Sequence, residues 1–135
     1  MTKNFTKKEF DSNCGCEMPI NVYYNIVKVA NQLQVLRNEI QKPIHVNSAY
    51  RSECWNAKIG GAHKIDKKGN RIETSQHVFG RAADIVVKGM TPLKLSKVIE
   101  RLISNGDMLQ GGLGVYEKKG FVHYDIRGTK SRWNG

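Results

Sequence analysis

The chain has 135 residues, of which 39% are hydrophobic and 25% charged, and a formal net charge of +10. This length is enough for one domain with a real core, and no apolar run approaches the roughly 18 residues that would suggest a membrane span. The first residues, Met1 to Phe5, lack the apolar centre of a secretory signal, so synthesis in a cytoplasm without an export leader is expected. A basic surface attracts polyanions, but Lys and Arg are spread along the chain and no nucleic-acid-binding motif accompanies them. We therefore expect no specific nucleic-acid partner, and a monomer.

Residues 1–20 read as an irregular leader with Phe5 and Phe10 packed on the domain. Three cysteines, Cys14, Cys16 and Cys54, leave at least one unpaired. A bridge across the single residue between Cys14 and Cys16 would be strained, so all three are expected as reduced thiols. From about 21 to 40, Val22, Ile26, Val29, Leu33, Leu36 and Ile40 recur at steps of four and three. That is the apolar stripe of a long core helix, with Asn21 as its N-cap. Pro43 ends it. Residues 43–50 then read as a strand, with Ile44, Val46 and Tyr50 on one face and His45, Asn47, Ala49 and Arg51 on the other. Ser52 caps a short helix that stops at Gly60 and Gly61, its Trp55 and Ile59 set against the sheet. Residues 64–74 read as a charged hairpin turning at Gly69 and Asn70.

Residues 82–87 form a buried strand. Thr91 and Pro92 open a second helix, whose stripe is Leu95, Val98, Ile99, Leu102 and Ile103 and whose stop is Asn105-Gly106. Residues 111–116 are a strand crowded with glycine, which implies close backbone approach by a ligand or neighbour. Lys118 to Gly120 turn the chain into a last strand, making a hairpin. There Val122, Tyr124 and Ile126 face one way, and Phe121, His123, Asp125 and Arg127 the other. The basic tail carries Trp133, expected to pack on the sheet. This order predicts one α+β domain over 1–135: a small antiparallel sheet of about four strands against two main helices.

Two imidazoles and a carboxylate are the donor set of a catalytic zinc site that keeps one position open. His77, Asp84 and His123 are the candidates. His77 and Asp84 lie seven apart, which on one helix is roughly 10 Å of rise. Donors on one zinc must come within about 3–3.5 Å, so the chain has to fold back between them, and Gly80 permits it. Asp125 shares the face of His123 one pleat away. It can serve as general base for the attacking water or hold the outer nitrogen of the imidazole. Arg51, at a strand end, offers a rigid charged fork for a carboxylate or a developing oxyanion.

Six blocks occur in order: Ser48-Ala49-Tyr50-Arg51-Ser52, Gly60-Gly61-Ala62, Ser75-Gln76-His77, Gly80-x-Ala82-Ala83-Asp84-Ile85, Gly112-Leu113-Gly114-x-Tyr116 and Phe121-Val122-His123-x-Asp125. Together they resemble the zinc D-alanyl-D-alanine carboxypeptidase family, whose relatives include vancomycin-resistance D,D-peptidases and phage endolysins and whose fold is shared by the hedgehog signalling domain. The resemblance runs from about residue 5 to the end. It implies a single zinc ion on His77, Asp84 and His123, and substrate contacts from Arg51 and Ser75. The implied reaction is hydrolysis of peptidoglycan stem peptides at the cell wall by a D,D-carboxypeptidase or endopeptidase, in keeping with a phage lysin. Attraction of the basic surface to anionic wall polymers would fit that setting.

The chain departs from the resemblance at two places. Residues 64–74 look inserted, and we expect a substrate-selecting flap there. Many relatives carry an acid three residues before the last histidine, where this chain has Gly120. Asp125 is therefore the expected base, with Glu73 and Glu117 as outside candidates. The alternative reading is a non-catalytic zinc-containing module that binds cell wall or polyanions.

Overall fold

The computed structural model describes residues 1–135, the side chain of Glu73 excepted. Helix α1 spans Ile20–Ile40, and Val22, Ile26, Val29, Leu33 and Leu36 are its buried line. Its N-cap is Pro19 rather than Asn21, which lies inside the first turn, and no side chain caps it. Helix α2 is one and a half turns, Glu53–Lys58, capped by the Ser52 hydroxyl accepting from the Trp55 amide. Helix α3, Pro92–Ser104, has the Thr91 cap and the leading proline that its sequence requires.

Seven strands form two sheets. They are β1 (His45–Ser48), β2 (His63–Ile65), β3 (Arg71–Glu73), β4 (Ala82–Val86), β5 (Gly112–Tyr116), β6 (Phe121–Asp125) and β7 (Ser131–Asn134). The main sheet has the order β1-β4-β6-β5-β7, while β2 and β3 make a separate hairpin. The α+β class is as the sequence indicates, but the sheet has five strands rather than about four, and β7 runs parallel to β5. This strand was illegible because the tail is too short to show alternation before it pairs.

Alternation along the central strands divides the molecule. Ala83 and Ile85 of β4, and Val122 and Tyr124 of β6, enter a core shared with α1 and α3. Their neighbours Asp84, His123 and Asp125 therefore emerge on the opposite face of the sheet. The first helices and strands hold the leader in place as well: Phe5 and Phe10 are buried, with ring centroids 5.9 Å apart.

Several local expectations change. Ala49 and Tyr50 are both buried, because the strand ends at Ser48 after an irregularity between Val46 and Ser48 that breaks the alternation. Ile59 is 47% exposed, since α2 is too short to lay its end on the sheet. Cys14 and Cys16 are disulfide-bonded instead of reduced. Gly15, at φ 78°, turns the chain tightly enough to bring their Cα atoms to 5.4 Å, within the usual span of a disulfide. Cys54 is free and exposed.

Gly80 carries the reversal between His77 and Asp84. It sits at φ 72°, and a Cβ there would lie 2.6 Å from Val22 Cγ1 and 2.7 Å from the Val22 carbonyl oxygen. Both the backbone conformation and the contact with α1 exclude a side chain. Gly80→Ala is expected to lower the unfolding free energy by about 2–4 kcal/mol, measured by urea denaturation, and to reduce metal retention at the same time.

Candidate metal centre

The register of β4 against β6 sets Asp84 directly opposite His123. The same row continues to Gly114 on β5 and Trp133 on β7, and begins at Ser48 on β1. His77 reaches this row from the turn before Gly80, whose amide bonds the His77 carbonyl. One donor atom from each of His77, Asp84 and His123 lies within 4.8 Å of the others. Asp84 Oδ1 is 3.2 Å from His77 Nε2 and 3.1 Å from His123 Nδ1. Bonds of about 2 Å in a tetrahedron put neighbouring donors about 3.3 Å apart, so this spacing fits zinc.

The outer nitrogens settle the tautomers. His77 Nδ1 lies 2.7 Å from the Ala49 carbonyl oxygen, which can only accept, so Nδ1 carries the proton and Nε2 presents its lone pair. His123 Nε2 lies 2.7 Å from Asp125 Oδ2. Ionised Asp125 accepts there, leaving His123 Nδ1 free to ligate. Imidazole, carboxylate and imidazole thus all turn lone pairs to one point, and each imidazole is held from behind.

Asp125 is fully buried. Besides the imidazole it accepts from the Gly112 amide at 2.8 Å, the Arg127 amide at 3.1 Å, and the Arg127 guanidinium at 2.9 and 2.7 Å. Gly112 is required for this approach, since a Cβ there would fall 2.2 Å from Asp125 Oδ2. Asp125 thus stands behind His123, bonded to its outer nitrogen.

Arg51 donates from Nη2 to Asp84 Oδ2 at 3.1 Å and from Nε to Ser48 Oγ at 3.1 Å. Ser75 is buried, and its hydroxyl accepts from the His77 amide at 3.3 Å. Both residues line the cleft over the metal-facing atoms, a cavity of about 690 Å³. Glu117 is exposed and is not among the lining residues, nor is His63, which bonds the Gly61 carbonyl. The side chain of Glu73 lies outside the described residues.

Trp133, expected from the sequence only to pack on the sheet, lines the cleft. Its ring centroid is 5.0 Å from that of His123, and its Nε1 donates to the Tyr116 hydroxyl at 2.9 Å. Gly114 makes room for it, because a Cβ there would meet the indole at 2.5 Å. The glycine-rich strand is thus approached closely by neighbours, by Asp125 at one position and Trp133 at the other.

Burial works against every charge here; hydrogen bonds overcome it at Asp84, Asp125 and His123, but not at His77. Burial would raise the Asp84 carboxyl, but the two imidazoles overcome it and hold Asp84 well below the usual carboxylate range. Asp125 is likewise low despite burial, owing to His123, Arg127 and the Gly112 amide. Burial pushes His77 down. For His123 burial also acts downward, yet Asp125 and Asp84 together raise it above an ordinary imidazole.

The Peptidase M15 family model matches residues 2–125. This chain belongs to the Peptidase M15 family. No curated protein matches it. The M15 chain is accordingly a metallopeptidase of the zinc D-Ala-D-Ala carboxypeptidase family, and His77, Asp84 and His123 could hold its ion. None of the described helices is long and apolar enough to cross a membrane.

Metal binding must displace the extra proton on His123, whereas His77 is already neutral. Zinc titrated into the metal-free M15 chain at pH 6 should release about one proton. The share of that release that comes from His123 should vanish as the pH rises past the His123 value. Calorimetry in buffers of different ionisation enthalpy measures it.

Proposed function

We propose that the protein hydrolyses peptide bonds in bacterial peptidoglycan stem peptides with one zinc ion on His77, Asp84 and His123. The supporting observation is the three-donor cluster at the floor of an open cleft. With one anionic ligand, a zinc ion there would keep a net positive charge, polarise a scissile carbonyl and lower the pKa of an attacking water. Arg51 anchors Asp84 and has further guanidinium N–H groups for a substrate carbonyl or oxyanion. Ser75 shapes the turn that carries His77 and adds a hydroxyl to the cleft wall. Asp125 orients His123 and strengthens it as a donor. The whole chain, 1–135, acts as one domain and as a monomer. It works at the cell wall, where its charge draws it to anionic polymers, as a phage lysin would.

The hairpin of β2 and β3 serves as the substrate-selecting flap. Its base, Ala62 and Thr74, is joined by a backbone hydrogen bond of 3.2 Å and lines the cleft. The tip is stabilised by Asp66 Oδ1, which accepts from the Lys68 and Asn70 amides at 2.9 and 2.8 Å.

A second reading, a zinc-containing module without catalysis, draws on one observation. Among the described residues lining the cleft, Asp84 is the only acid. Digestion of purified peptidoglycan separates the two. New amino and carboxyl termini identified by mass, lost on chelation and restored by zinc, support the peptidase. Zinc bound at one per chain without new termini selects the module.

Two variants test the roles. His77→Ala should abolish both zinc retention and hydrolysis. Asp125→Asn should weaken zinc about 10- to 100-fold while activity returns at excess zinc. Full zinc affinity with no activity in Asp125→Asn would restore Asp125 as the base.

A further inference from the structure

Three cationic side chains line the cleft: Arg51, Lys119 and Arg127. Two of them are already engaged. Arg51 is 3.1 Å from Asp84, and Arg127 is 2.7 Å from the buried Asp125. Lys119 differs, because among the described residues no carboxylate lies within ion-pair distance of it. Its ammonium instead sits 5.9 Å from the centroid of the Tyr116 ring, a placement that holds a cation without neutralising it. That ring is itself fixed. It stacks on Phe121 at 4.4 Å, and its hydroxyl accepts from Trp133 Nε1. With that lone pair taken, the Tyr116 O–H has its proton available for an acceptor in the cleft.

Charge points the same way. Asp84 is the only acid among the described lining residues, and it would be a ligand of a dication. The cleft therefore has unbalanced positive charge on the side built by the β5–β6 turn. Lys119 is exposed, so an anionic group on an entering ligand would find its charge accessible and unpaired among the described residues.

We propose that Lys119, seated on Tyr116, forms a subsite for a free carboxylate of the substrate and makes the cleft selective for carboxylate-bearing over amidated peptides. This rests on the peptidase reading for its substrate class, and it deepens that reading by assigning a specificity residue. Lys119 supplies the charge, and the Tyr116 hydroxyl supplies a neutral hydrogen bond to the same group. Neither has a part in holding the metal.

The test uses the zinc-loaded full chain and two synthetic stem pentapeptides that end in D-Ala-D-Ala. One has all its carboxylates free, and in the other each is a carboxamide. Binding is followed by tryptophan fluorescence, since Trp133 lies in the cleft wall, and turnover by the release of new termini. A partly exposed ion pair is worth up to about 1 kcal/mol, or roughly fivefold. Lys119→Met should therefore weaken binding and raise KM for the free acid by roughly fivefold. It should leave kcat within about twofold and the amide unaffected, while Lys119→Arg should restore discrimination. The inference is overturned if Lys119→Met leaves affinity for the free acid unchanged, or if it weakens both peptides equally. Discrimination that depends on Lys119 without any hydrolysis would uphold the subsite and refute the peptidase. Hydrolysis that ignores Lys119 would do the reverse.

Discussion

The centre depends on the register in which β4 meets β6. Asp84 stands opposite His123, so two of the three donors are brought together by backbone hydrogen bonding before any ion arrives. A slip of one residue by either strand would turn its donor into the helix layer and bring Ala83 or Tyr124 to the cleft instead. The buried set Ala83, Ile85, Val122 and Tyr124 prevents that slip. The hydrophobic core on one face of the sheet thereby determines the metal geometry on the other.

The same row explains the glycines of β5. Opposite His123 stands Gly114, and beyond it Trp133. A side chain on Gly114 would meet the indole, so the tryptophan lies across the strand and closes the edge of the site. Two residues earlier, Gly112 gives its amide to Asp125. One strand thus serves as spacer and donor at once, and the residues it accommodates hold His123 from behind and from the side.

Electrostatically, the face is a chain of opposite charges running from Arg51 to Asp84, His123, Asp125 and Arg127. Each buried carboxylate has a guanidinium on one side and an imidazole on the other. Removing one member would leave its neighbour buried and uncompensated, which generally costs more than the pair contributes. That continuity rigidifies the donors. It also leaves Lys119 as the cleft-lining cation outside the chain of pairs.

What the sequence determined by itself was the inventory and the facing of the parts. Periodicity gave α1 and α3, alternation placed His123, Asp125 and Arg127 on one face, and the seven-residue spacing required a reversal at Gly80. The ordered motif blocks pointed to the zinc peptidases. Tertiary structure decided what spacing cannot express. Alternation alone left open which groups Asp125 meets, and only the folded chain brings Gly112 of β5 and Arg127, just past β6, to bond its carboxylate beside the imidazole. Trp133 became part of the site because β7 pairs in parallel with β5, a contact between distant segments that leaves no local periodic trace. The pairing of Cys14 with Cys16 is likewise something that composition and counting do not reveal.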